Sequence, residues 1–158
     1  MKIIYPGSFD PMTLGHLDIL TRASNLFDEV LVVVAQNAEK QYLFTPDERV
    51  ALIKQSCSTL NNISVHQTDG LIVDFAKQHG TKLILRSARN SHDMEFESQL
   101  AFMNRTLSPA IETLLMPCSP EFNNISSSLI KEIVQSGGDA SRFLPTPVMQ
   151  ALAQKLRG

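Results

Sequence analysis

The strongest constraint on what this chain can fold into is a series of short runs of branched apolar residues with no polar alternation, separated by longer segments of helical period. In Leu31-Val32-Val33-Val34 every side chain is apolar, so a strand there needs cover on both faces, as in a parallel sheet packed between helices. Runs of this kind fall at 2–5, 30–35, 63–66, 82–85 and 112–116. The segments between them carry helix signals. Over 15–27, Leu17, Ile19, Leu20, Ala23 and Phe27 form an apolar stripe, while Asp18, Thr21, Arg22 and Asn25 fall elsewhere. Thr45-Pro46-Asp47-Glu48 combines a capping threonine, a proline suited to the first helical position and a glutamate that can close a capping box, which predicts a helix to about residue 56. Further helices are expected over 71–78, before Gly80, and over 91–107, ended by Pro109, with Phe96, Leu100, Met103 and Leu107 on one apolar face. The order β-α-β-α-β-α-β-α-β with right-handed crossovers predicts an α/β architecture, a Rossmann-like open parallel sheet of about five strands with helices on both faces. C-terminal helices follow from about residue 126, one carrying Leu129, Ile130, Ile133 and Val134, the other opened by Thr146-Pro147.

A chain of 158 residues suits one ordinary domain, 1–158, and no repeat, charge block or flexible linker marks an internal boundary. With 14 Lys and Arg against 16 Asp and Glu the formal charge is -2, which disfavours nonspecific binding to nucleic acid or an anionic membrane. No apolar run is long enough to span a bilayer, and Pro6 and Gly7 interrupt the N-terminus before a signal-peptide core can form. The expectation is a soluble cytoplasmic protein. Cys57 and Cys118 stand far apart without a CxxC or Cys/His spacing, which argues for free thiols.

Sheets of this type bind ligands beyond the carboxyl ends of their strands, so the loops that follow strands carry the functional reading. After the first run, the decapeptide from Gly7 through Ser8, Phe9 and Asp10 to His16 has two glycines that allow close backbone approach, and it opens a helix whose first turn holds His16. Amides at a helix start favour an anion, and an imidazole there can donate to a phosphoryl oxygen without a fixed charge. The glycine and proline spacing alone also suits an ordinary strand-to-helix turn, and neither GxGxxG nor a Gly-Lys-Ser/Thr loop is present. Arg86 and Arg89, after the fourth run, place two forked donors at the ligand edge. Lys40, after the second, reads on its own as a solvated charge. Glu97, Ala101 and Asn104 share a helix face beside the apolar one; a buried Glu97 would need partners, for which Arg89 or ribose hydroxyls serve. Ser126-Ser127-Ser128 gathers hydroxyls and free amides at one helix start, suited to capping and to phosphate binding alike. His66, His79 and His92 match no motif and read as structural or surface residues.

Pro6-Gly7-Ser8-Phe9-Asp10-Pro11 followed by Thr13-Leu14-Gly15-His16 resembles the signature of the adenylyl- and cytidylyltransferase superfamily. Together with Asn104-Arg105 and Ile125-Ser126-Ser127-Ser128, it makes the chain similar over essentially its whole length to the bacterial phosphopantetheine adenylyltransferase family. The resemblance implies transfer of AMP from ATP to 4′-phosphopantetheine, giving dephospho-coenzyme A and pyrophosphate in coenzyme A biosynthesis. It implies His16, Lys40 and Arg89 as the groups that stabilise the transition state. Ser8, Phe9, His16, Arg89, Glu97, Ser126, Ser127 and Ser128 would face ATP; Ser8, Lys40, Ile72, Arg86 and Asn104 would face phosphopantetheine, with Phe75 and Met103 as apolar walls. It further implies Mg²⁺ carried by the nucleotide phosphates rather than by protein side chains, and a homohexamer. Arg86-Ser87-Ala88-Arg89 departs from the family's usual Arg-Gly-[Leu/Ile]-Arg, which raises the question of this segment's backbone and packing. Two rival readings are a sister transferase that uses CTP or another phosphorylated acceptor, and a catalytically silent nucleotide sensor of the same fold.

Overall fold

The structure is a computed structural model and describes residues 1–157. In chain order it contains β1 (Lys2–Gly7), α1 (Leu14–Leu26), β2 (Glu29–Ala35), α2 (Pro46–Ser56), β3 (Ile63–Thr68), α3 (Ile72–Gln78), β4 (Leu83–Ala88), α4 (Ser91–Leu107), β5 (Glu112–Pro117), α5 (Ser127–Gln135) and α6 (Thr146–Arg157). The capping box expected at the start of α2 forms: Thr45 Oγ1 accepts from the Glu48 N–H at 3.2 Å, and Glu48 Oε2 accepts from the Thr45 N–H at 2.7 Å.

All five strands run parallel in the order β3-β2-β1-β4-β5. The chain builds outward from β1 through β2 to β3, then crosses back to lay β4 and β5 on the other side. That reversal opens a crevice beyond the carboxyl ends of β1 and β4. The uninterrupted apolar runs have the reason anticipated for them. Ile3, Tyr5, Val30, Val32, Val34 and Leu85 face a large core completed by α1, α2, α5 and α6, where Leu20, Ile53, Ile130 and Val148 are buried. Their neighbours Ile4, Leu31, Val33 and Ile84 face a smaller core with Val73, Phe75 and Ala76 of α3.

Two expectations change. The fourth strand does not stop at Leu85: pairing with β5 continues through Arg86 opposite Leu115, Ser87 opposite Met116 and Ala88 opposite Pro117. Ladder hydrogen bonds carry the strand past the end of its apolar run. Ser87 therefore sits in extended strand, with its Oγ 3.3 Å from the Tyr5 hydroxyl, and a serine here demands no special backbone. The second change concerns α4. Phe96, Met103 and Leu107 are more than half exposed, and the one buried residue of this 17-residue helix is Glu97. The face turned to the sheet is the one bearing Glu97, Ala101 and Asn104, because Glu97 has a cationic partner on β4.

Candidate active site

The site begins where β1 ends. A Cβ on Gly7 would lie 3.0 and 3.1 Å from ring atoms of Phe9, so any larger residue here would have to displace that ring by a few tenths of an ångström. Phe9 is buried and holds a backbone φ of 49°, in the left-handed region that non-glycine residues avoid. The loop is fixed through its carbonyls by three other elements. Pro6 accepts from Arg86 Nη1 at 2.9 Å, Ser8 from Arg49 Nη1 at 2.8 Å and Pro11 from the Ser127 hydroxyl at 2.7 Å. Buried Asp10 accepts the Leu43 and Phe44 N–H groups, both at 2.8 Å, and pairs with Lys131 at 3.3 Å.

Thr13 caps α1, and His16 folds back onto it: His16 Nδ1 accepts the Thr13 N–H at 3.0 Å. That bond decides the tautomer, because a neutral ring whose Nδ1 accepts must carry its proton on Nε2. Burial, with the charges of Arg89 and Arg86 behind it, lowers the imidazole pKa to about 4. At neutral pH the ring is an uncharged donor at a helix N-terminus, packed 5.0 Å from the Phe9 ring.

The arginines are held as firmly. Arg86 forms a two-pronged pair with Glu97, Nε to Oε2 at 2.6 Å and Nη2 to Oε1 at 2.8 Å. The partners expected for Glu97 were Arg89 or ribose hydroxyls; the side chain found is Arg86, whose in-strand position points it at the sheet-facing side of α4. Arg89 instead clasps Asp93, Nε to Oδ2 at 2.8 Å and Nη2 to Oδ1 at 3.2 Å, and reaches the Ile125 carbonyl at 3.2 Å. Its hydrogen bond to Asp93 raises its pKa and lowers that of Asp93, so both stay charged.

The serines divide their work. Ser126 caps α5 by accepting the Leu129 N–H at 3.1 Å, Ser127 ties the first loop, and Ser128 is exposed at the same helix start. Of the residues singled out from sequence, Ser8, Phe9, His16, Arg86, Arg89, Glu97, Ser126 and Ser127 belong to one connected set around the first loop. Lys40 does not join it: the side chain is exposed, and no hydrogen bond or ion pair ties its ammonium to that set among the described residues. Ile72 and Asn104 are half-buried at the start of α3 and on the inner face of α4. Of the two suggested apolar walls, Phe75 is buried against His79, with ring centroids 3.9 Å apart, whereas Met103 is exposed. Sequence reasoning passed over Arg49, Asp10 as an anchor, and Asp93, although Asp93 stands at the i, i+4 spacing from Arg89.

A parallel sheet whose order reversal gathers an uncharged imidazole at a helix N-terminus and two anchored guanidinium groups has donors suited to an anionic ligand, and the family model that matches the chain places it in the nucleotidyltransferase class. The family model described as "Cytidylyltransferase-like" matches residues 4–133. A putative nicotinate-nucleotide adenylyltransferase from Vibrio parahaemolyticus shares the fold with a TM-score of 0.67 at 18% identity, over 96% of this chain and 97% of that one. The phosphopantetheine adenylyltransferase of Alkaliphilus metalliredigens is 46% identical over 98% of this chain and 99% of its own length. That of Haemophilus ducreyi is 47% identical over 97% and 95%. This chain belongs to the phosphopantetheine adenylyltransferase family.

Proposed function

We propose that this chain transfers AMP from ATP to 4′-phosphopantetheine, giving dephospho-coenzyme A and pyrophosphate in coenzyme A biosynthesis. The observation that carries the reading is His16, an uncharged Nε2–H donor at the N-terminus of α1, beside Arg86 and Arg89. A phosphate oxygen of the acceptor attacks the α-phosphorus of ATP, the bond from that phosphorus to the bridging oxygen breaks, and pyrophosphate leaves with the electron pair. Both partners are anions, so the protein's task is to hold them in line and to stabilise the charge on the pentavalent transition state. No side chain needs to become covalently adenylylated.

In this reading His16, Lys40 and Arg89 stabilise the transferring group. Ser8, Phe9, Glu97 and the α5 start at Ser126, Ser127 and Ser128 face the nucleotide. Ser8, Lys40, Arg86, Ile72 and Asn104 face the acceptor. The site fits a nucleotide that brings its own Mg²⁺, because its side chains are donors and its carboxylates Asp93 and Glu97 are already engaged by Arg89 and Arg86. When bound, that ion supplies positive charge to the nucleotide phosphates. The reading places the enzyme in the cytoplasm, and no helix of the described residues is long and apolar enough to cross a membrane. It also includes a homohexamer. The exposed Phe96, Phe102, Met103 and Leu107 on α4 support assembly through that helix.

The test is pyrophosphate release from ATP with and without 4′-phosphopantetheine, together with the mass of the product. Release that depends on the acceptor, with dephospho-coenzyme A formed, is the expected result. Preference for CTP, or nucleotide binding with no turnover, would overturn it.

A further inference from the structure

We propose that Arg49, on α2, is a positioning residue that locks the first loop, which serves both substrates, to the turn carrying Lys40, which serves the acceptor, so that the two segments share one geometry. The identity of that acceptor rests on the reading above; the physical link does not.

Arg49 is fully buried, an uncommon place for a guanidinium. Its Nη1 grips the Ser8 carbonyl, one residue before the backbone of Phe9 enters the left-handed region. A conformation of that kind persists where its surroundings over-determine it, and Arg49 is one of those surroundings. The other side of the guanidinium faces the Lys40 turn. Its central carbon lies 4.1 Å from the centroid of the Tyr42 ring, a cation–π contact in a desolvated place. The Tyr42 hydroxyl accepts the Asn37 N–H at 2.8 Å. Asn37 in turn shapes the turn, its side-chain oxygen accepting the Glu39 N–H at 2.9 Å and its carbonyl the Lys40 N–H at 3.0 Å. Contacts thus run unbroken from Ser8 through Arg49, Tyr42 and Asn37 to Lys40.

Arg49 carries little electrostatic compensation for its burial. Among the described residues Arg49 has no carboxylate partner, and its Nε and Nη2 have no hydrogen-bond acceptor. A buried cation so sparsely satisfied is a poorer choice for stability than an apolar side chain of similar size. Its contribution is geometric. Asp10 secures Leu43 and Phe44 independently, so loss of Arg49 frees the turn without detaching the end of the segment.

The test uses Arg49→Lys, which keeps the charge and a donor but loses the planar stack, and Tyr42→Leu, which removes the platform from the half-buried side. For each, the initial rate is measured against both substrates, and amide hydrogen exchange is followed in the ligand-free chain. The expected result is a rise of about tenfold in KM for 4′-phosphopantetheine, served by both segments, with a smaller rise of about threefold in KM for ATP, served by the first loop alone. Exchange should quicken in both 7–10 and 36–42 while the central strands keep their protection. Equal changes in both KM values, or exchange unchanged in either segment, would overturn the proposal. If the wild-type chain releases no pyrophosphate with this acceptor, the functional reading fails, and exchange alone then decides whether Arg49 couples the two segments.

Discussion

The cationic and donor groups at the carboxyl edge of the sheet fall into two sets. His16, Arg86 and Arg89 are each clamped by a neighbour: Thr13, Glu97 and Asp93. Lys40 stands exposed on a turn with its ammonium unpaired among the described residues. The contrast has an energetic meaning. A donor already aimed stabilises developing charge without reorganising at the moment of reaction, whereas a long free side chain surrenders its rotamers only when it engages a ligand. Within the held set, His16 and Arg89 suit transition-state stabilisation and Arg86 a fixed grip on the acceptor, while Lys40 suits capture of the acceptor phosphate followed by charge neutralisation.

Substitutions can break this contrast in order of size. His16→Ala should lower kcat by about 10²–10³, the loss typical of one oxyanion donor, while ATP affinity measured by calorimetry stays within about threefold. Weakened binding with unchanged turnover would move His16 out of the held set's catalytic role. Glu97→Gln strips Arg86 of its charged clamp. Thermal unfolding should show a loss of about 1–3 kcal/mol, and KM for the acceptor should rise as Arg86 loses its fixed direction. Lys40→Ala should raise acceptor KM several-fold and slow transfer, with stability within about 0.5 kcal/mol of wild type because the residue is exposed and unpaired. If that variant is also destabilised, Lys40 is held after all. Ser87→Gly should do least. Rates should stay within about twofold, and stability should fall by about 0.5–1 kcal/mol from strand glycine and the lost Tyr5 contact.

The same contrast explains what could be read before the structure. Strand and helix positions followed from local signals: Leu31-Val32-Val33-Val34 reads as a doubly covered strand, and Thr45-Pro46-Asp47-Glu48 as a helix start. The first loop, His16 and both arginines were legible because their chemistry is concentrated in short motifs. What holds them was less so. The pairing of Arg86 with Glu97 depends on β4 running on to Ala88, which ladder pairing with β5 dictates and the apolar run does not. Which face of α4 turns inward was not legible, because amphipathy alone favours the side of Phe96 and Met103, whereas a buried ion pair accompanies Glu97 inward and the apolar stripe is left without cover from this chain. Arg49 escaped notice for a related reason, since residue type assigns it to the surface.

The claim on which the held set depends is that His16 is an uncharged Nε2–H donor. Because the folded chain binds this proton less readily than an unfolded imidazole near 6.5, stability should decline as pH falls from about 6.5 toward about 4, and His16→Gln should flatten that slope. The most direct measurement is a pH titration of the His16 ring in the ligand-free protein by ¹H–¹⁵N NMR. The account predicts a proton on Nε2 at neutral pH and a midpoint near 4; a proton on Nδ1, or a midpoint at or above the ordinary value, would contradict it.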